Sequence, residues 1–263
     1  MPWHAMHVGS MAASGAGLVI MEATAVEASA RTTAGCLGLN SDDNEAAMAR
    51  LVRDIRTYAD TPLGIQLVHS GRRASVRKPW DADTVKLPLA EGGWAVRGPT
   101  DEPYRGDVHR PVALDEAGIA RVLEAFAAAA MRADRSGFGQ LELHGAHGYL
   151  MHSFFSPISN TRDDGWDGDA ARRMRFPLAG VQAVRASWPA HKPLGVHLPG
   201  SDFIEGGLTV RTLWRWAGQC GRKGWTTWCP PSACSTASSV LRRWSWATWC
   251  PSPSGCGRKL AVR

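Results

Sequence analysis

Short, nearly unbroken apolar runs alternate with longer stretches of helical spacing along residues 1–205, and this alternation constrains the fold more than any other feature. The runs are AGLVIMEATAV (Ala16–Val26), TPLGIQLV before His69, FGQLELH ending at His144, and KPLGVH ending at His197. A strand wetted on one face alternates apolar and polar residues, whereas a strand covered on both faces reads as continuously apolar. Between the runs, SDDNEAAMARLVRDIRTYAD offers Ser41 or Asp42 as a helix cap and keeps Met48, Leu51, Val52 and Ile55 on one face. LDEAGIARVLEAFAAAAMRADRSG is a second helix, capped by Asp115 and stopped by Gly137. DGDAARRMRFPLAGVQAVRASW is mostly helical, with Pro177 as a kink or a restart. Arg72–Ala113, rich in Gly, Pro and charge, reads as a surface excursion with room for a small hairpin.

Strands that alternate with helices form a parallel α/β sheet. No Gly-rich phosphate loop joins a strand to its helix, which disfavours the open dinucleotide-binding sheet. Polar residues gather instead at and past the ends of the runs: Glu22 and Thr24, Gln66 and His69, His144 and His147, and His197. A (β/α)8 barrel builds its active site at that end, and four units are about half of such a barrel, which needs roughly 250 residues.

The chain has 263 residues, 44% of them hydrophobic, enough for a sizeable core. It shows no membrane-length apolar run and no signal-peptide pattern, so a cytoplasmic setting without a membrane partner is expected. Charge is unevenly spread: residues 206–263 hold nine Lys and Arg and no acid, with seven of the 12 Trp and five of the six Cys. Cys220, Cys229, Cys234, Cys250 and Cys256 lack the paired spacing of a zinc site. A basic tail is compatible with nucleic acid, but translation out of frame explains this composition better, and no nucleic-acid partner is expected. Back-translating Trp246–Cys256 and shifting by two bases is consistent with Gly-Tyr-Leu-Val-Pro-Phe-Ala-Glu-Arg-Val.

The stretch LELHGAHGYL places His144, His147 and Tyr149 where a strand runs out. Two histidines donating to one oxygen stabilise a developing enolate or phenolate, and a nearby tyrosine hands on a proton. Zinc is a second reading, with His69, His144, His147 and His197 as ligands and Glu22 as the one strand-end carboxylate. A third is that each histidine simply caps its strand through the backbone.

LELHGAHGYLMHSFFSPISNTRDDGW resembles the signature of the Old Yellow Enzyme family, the FMN-dependent ene-reductases and NAD(P)H dehydrogenases, in its bacterial class. GLVIMEATAV, GIQLVHSGRRAS and PLGVHLPGSD are similar to that family's second, third and fifth barrel strands, and RRMRFPLAGVQAVR to the helix after its fourth. The resemblance spans about residues 3–208. It implies an incomplete (β/α)8 TIM barrel, about strands two to five, with residues 1–208 as a partial FMN-binding domain and 209–263 as an aberrant tail. It implies that His144 and His147 bind the substrate's carbonyl or nitro oxygen and that Tyr149 protonates the substrate carbon. Gln66 would meet the pyrimidine edge of the flavin, and the Ala23 backbone its O4 and N5. His197 stands where the family carries an arginine beside flavin N1 and O2. Asp167-Gly168 and Ala171-Arg172 replace the family's Gly-Gly and Glu-Asn pairs. The family's first strand and its sixth to eighth strands, which bring the phosphate site, are not found. The implied activity is hydride transfer from NAD(P)H through FMN to an activated, enone-like C=C bond, in a protein compatible with a homo-oligomer. The alternatives are a truncated product without turnover and, resting on the histidines alone, a zinc hydrolase.

Overall fold

The computed structural model describes residues 2–81, 86–104, 110–213 and 216. The chain opens with helix α1 (Pro2–Ala13), enters strand β1 (Val19–Ala25), and returns through helix α2 (Asp42–Arg56) to strand β2 (Leu63–Val68). An excursion carries the two short strands β3 (Arg97–Gly98) and β4 (Val112–Ala113). Helix α3 (Glu116–Arg135) then leads into strand β5 (Gln140–His144). Helices α4 (Leu150–Phe155), α5 (Ala170–Arg173) and α6 (Arg175–Ser187) precede strand β6 (Leu194–His197).

The main sheet has the order β1-β2-β5-β6, every pair parallel. Each new long strand is laid beside the previous one, so the sheet grows in one direction, as in the successive units of a (β/α)8 barrel and unlike a doubly wound sheet. Leu63, Ile65 and Leu67 of β2, Leu141 and Leu143 of β5, and Leu194 and Val196 of β6 are buried in the core. They pack with Val52 and Ile55 of α2, Val122 and Phe126 of α3, and Val181 and Val184 of α6. Strand alternation turns Gln66, Glu142 and His144 to the opposite face, so one side of the sheet is an apolar seam and the other is polar.

The helix ends follow local chemistry. The Ser41 hydroxyl accepts from the Asn44 amide at 3.3 Å, and the Asp115 carboxylate from the Gly118 amide at 2.7 Å. Gly137, at φ +92°, leaves α3 through the left-handed region. Pro177 lies in the first turn of α6, where a missing amide goes unnoticed within the new helix. It has no hydrogen to offer the end of α5, so the stretch breaks at Met174 and restarts.

Two features depart from the sequence reading. Residues 2–13, assigned no element above, form α1, which buries Val8 and Ala12; Thr61 Oγ1 donates to Ala12 O at 2.8 Å near its C-terminal end. In the excursion the one pair of short strands is not a hairpin: β3 and β4 pair in parallel, tied by Val112 N–H to Val96 O and Leu114 N–H to Gly98 O, and antiparallel pairing among its described residues is confined to an isolated bridge between Val76 and Lys86. Past β6 the chain makes a helical turn at 210–213, and Leu213 and Trp216 are buried, the Trp216 ring 6.0 Å from that of Phe155. Residues 217–263, the bulk of the tail set apart above, lie outside the described residues.

The seam between sheet and helices predicts the stability response. Phe126→Ala, at a fully buried position on α3, is expected to cost about 3–5 kcal/mol. Asp115→Ala, which removes only the cap, is expected to cost about 1 kcal/mol. Urea titration checks both; equal effects would mean that α3 is not seated on the sheet.

Candidate active site

The polar face is a set of aligned rows. Ala23 pairs in register with Gln66, Gln66 with Glu142, and Glu142 with Gly195; one step toward the C-terminal ends, His144 pairs with His197. Ala23 reaches its row through a β-bulge. Met21 pairs with Ile65 and Ala23 with Gln66, so Glu22 is an extra residue that the ladder skips. Glu22 meets His4 Nε2 at 2.8 Å on the outside.

Gln66 holds the first row together. Its Nε2 donates to Glu142 Oε1 at 2.5 Å and lies 3.5 Å from His197 Nδ1. Burial pushes the Glu142 carboxyl above its ordinary pKa, with the Gln66 contact opposing the shift. An amide that donates to both neighbours leaves Gln66 Oε1 as its acceptor and gives His197 the Nε2–H tautomer.

The histidine tautomers beyond this row follow from one backbone contact. The Ala146 amide donates to His144 Nδ1 at 3.2 Å, so the neutral ring carries its proton on Nε2. His144 Nε2 lies 3.1 Å from His147 Nδ1, which must then accept, leaving His147 with its proton on Nε2. As the rings stand, the pair is a relay with one outward N–H, on the exposed His147. Burial, then the nearby His197 and His147, push the His144 pKa down to about 3. Burial followed by the Arg73 charge lowers that of His147, and burial followed by His147 lowers that of His197. Tyr149 completes the group: its ring is 4.8 Å from that of His144, and the Arg73 guanidinium stands 5.4 Å from it.

The mouth thus brings Gln66, His144, His147, Tyr149 and His197 together, with Ala23 in the adjoining row. His69, Thr24 and Glu22 do not join it. His69 is buried, with Nδ1 accepting from the Gly71 amide at 3.0 Å and Nε2 bonded to Glu27 at 3.1 Å. It caps its strand, as the third histidine reading has it. Burial alone raises the Glu27 carboxyl, but the His69 and Ser29 hydrogen bonds and Arg97 outweigh it and hold the pKa at about 2. Thr24 is buried and donates back to Glu22 O at 2.9 Å. Among the described residues no group of three His, Cys, Asp or Glu side chains is placed to hold a metal ion.

Two residues of the site were missed in sequence. Glu142 was hidden inside an apolar run, although its two-residue offset from His144 places both on one face. Arg73 donates through Nη1 to His147 O, and nothing in GRRAS marks which arginine reaches across. Gly71, at φ +59°, makes that reach short: a Cβ there would lie 3.0 Å from the Leu150 Cα.

Residues 2–228 match the NADH:flavin oxidoreductase / NADH oxidase family. The chain belongs to this family. It is 37% identical over 208 residues to the NADPH dehydrogenase of Listeria innocua and 34% identical over 209 residues to that of a Geobacillus species. These alignments cover 79% and 80% of this chain but 56% of each relative, so the chain spans about half the length of the curated relatives it matches. Among solved structures, morphinone reductase in complex with tetrahydroNAD superposes with a TM-score of 0.71 at 26% identity, over 84% of this chain and 62% of that one. A 2-naphthoyl-CoA reductase superposes with a TM-score of 0.72 at 22% identity, a likeness of fold. In this family setting the four-stranded sheet is part of a (β/α)8 TIM barrel. No helix among the described residues is long and apolar enough to cross a membrane.

The low His144 pKa has a consequence for folding. On acidification the unfolded chain takes up this proton near 6.5 and the folded chain only near 3. Stability is therefore fully present above about 6.5 and falls as the pH drops toward 3, by up to about 1.4 kcal/mol per pH unit for one proton. The lowered His147 and His197 pKa values add in the same direction. Below its ordinary 4.5, Glu27 joins them, because its ion pair is lost as the pH falls through about 2. His144→Asn keeps an acceptor for the Ala146 amide but cannot titrate, so it should make the profile shallower between pH 6.5 and 4.5, leaving the His147 and His197 contributions. Urea midpoints across that range check this; an unchanged slope would place the titration elsewhere.

Proposed function

We propose that this chain carries the flavin-facing and substrate-facing residues of an FMN-dependent NAD(P)H oxidoreductase of the ene-reductase type, acting on an activated, enone-like C=C bond in the cytoplasm. The observation that carries the reading is the alignment of Gln66 and His197 in rows that adjoin His144, His147 and Tyr149 at one mouth.

The donors and acceptors present suit the pyrimidine edge of a flavin, which offers one N–H between two carbonyl oxygens. Gln66 Oε1 is the free acceptor for that N–H, and His197 Nε2–H is a donor for the adjoining oxygen. The Ala23 backbone stands beyond Gln66, where the flavin's O4 and N5 would lie. His197 is a neutral donor in a place where an arginine would supply a fixed charge, which weakens the hold on an electron-rich ring. FMN, when bound, supplies the hydride. The chain's own residues do the rest. An oxygen lodged between His144 and His147 accepts the Nε2–H of each, in place of the contact between the rings, and so draws charge away from the C=C bond. Tyr149 delivers the proton to the other carbon.

The division near residue 208 is kept as part of this proposal: residues 1–208 form the flavin-binding part of a barrel, and the segment after it is out of frame. A homo-oligomer is compatible with the reading.

Two measurements test it. Titration of the purified chain with FMN should quench flavin fluorescence and shift the visible spectrum. His197→Arg should tighten binding about tenfold or more, since a charge-assisted hydrogen bond contributes roughly 1.5–3 kcal/mol and 1.4 kcal/mol is a decade. Tyr149→Phe in the FMN-loaded protein should slow NADPH-dependent reduction of cyclohexenone about 100-fold or more, the scale of general acid catalysis. No spectral response to excess FMN in either the parent or His197→Arg would overturn the flavin reading.

A further inference from the structure

The peptide that joins His147 to Gly148 is held at both ends. Both residues are left-handed, at φ +58° and +71°. For a residue with a Cβ this costs roughly 1–2 kcal/mol, so the surroundings must impose it. The carbonyl of this peptide accepts from Arg73 Nη1, and its N–H, on Gly148, donates to His152 Nδ1 at 2.7 Å. His152 is buried in the short helix α4, and its Nε2 lies 2.7 Å from Asp202 Oδ1, in the loop after β6. The other oxygen, Asp202 Oδ2, accepts from Ser156 Oγ at 2.6 Å and from the Leu208 amide at 2.8 Å. Only 8% of the Asp202 side chain is exposed.

A carboxylate this buried is costly unless its lone pairs are filled, and here three donors fill them. Burial by itself raises its pKa, but the His152, Leu208 and Ser156 hydrogen bonds outweigh burial and hold it below the ordinary aspartate value. The direction of the relay is fixed. With Nε2–H donated to the carboxylate, His152 must present a lone pair at Nδ1, the one state in which it can receive the Gly148 N–H. Asp202 therefore acts through His152 on the peptide plane that follows His147, and that plane sets the direction in which the His147 ring leaves the backbone.

We propose that His152 and Asp202 are a positioning pair that aims His147 at the mouth of the barrel, so that the loop after β6 controls a substrate-binding group on the loop after β5. The proposal takes its substrate role for His147 from the reading above, but the aiming itself is testable without flavin or turnover.

The test uses the full chain with 15N-labelled histidine, without cofactor. In the unmodified protein, His152 should show the Nε2–H tautomer, and the Gly148 amide should exchange slowly with solvent. His152→Asn keeps an acceptor close to the position of Nδ1 and should leave the His147 ring signals near their native shifts. His152→Gln places its amide near Nε2 instead, leaves Gly148 without its acceptor, and should displace or broaden those signals, as should Asp202→Asn. In FMN-loaded protein the same His152→Gln change should lower kcat/KM for cyclohexenone about ten- to a hundredfold, the scale on which outer partners tune other sites, with His152→Asn restoring most of it. The proposal is overturned if native His152 is protonated on Nδ1, or if His152→Gln leaves the His147 signals unmoved. Should the variants unfold, the tautomer and amide exchange of the native chain decide. His147 moving in the variants of a chain that binds no FMN would refute the flavin reading and leave the positioning pair standing.

Discussion

Parallel pairing across β2, β5 and β6 is the constraint on which the site depends. Hydrogen bonds between parallel strands fix register, and register fixes which side chains share a row. Gly64 opposite Gln140 carries with it Gln66 opposite Glu142, and Leu141 opposite Leu194 carries with it His144 opposite His197. A one-residue slip of β5 would send Glu142 and His144 into the leucine seam and bring Leu141 and Leu143 to the mouth. The buried leucines oppose that slip, so the apolar side of the sheet holds the polar side in alignment.

The same sheet explains why the site's histidines are neutral. They stand on a half-covered polar face, close to one another and to Arg73, where both burial and like charge disfavour protonation. Neutral rings carry one donor and one acceptor each, so a single backbone amide, that of Ala146, propagates an orientation through His144 to His147.

The parts legible in sequence are those set by local rules. The long strands announced themselves by apolar runs, α2 and α3 by caps at Ser41 and Asp115, and the cluster by the spacing of His144, His147 and Tyr149. What was not legible depends on distant partners. α1 has no acid in its first turn, no basic residue in its last and only two buried residues, so its place comes from packing on α2 and β1 rather than from its own pattern. The parallel pairing of β3 with β4 follows from where the excursion closes. His69 and His147 look alike as strand-end histidines, but Glu27 and the Gly71 amide claim the first, while the second points outward from a left-handed turn.

The bulge at Glu22 acts as a frame change within the strand. Ahead of it the odd-numbered Val19 and Met21 pair with Leu63 and Ile65 of the apolar side; after it the even-numbered Thr24 pairs with Leu67, and Ala23 stands beside Gln66. Every residue from Ala23 onward owes its side of the sheet to that single skipped position. An insertion or deletion of one residue before it would be absorbed in the loop after α1, whereas the same change between Glu22 and Ala25 would invert the end of the strand and present a different backbone to whatever lies against Gln66. In this fold the choice of atoms facing the site at β1 is thus made by counting residues rather than by choosing side chains.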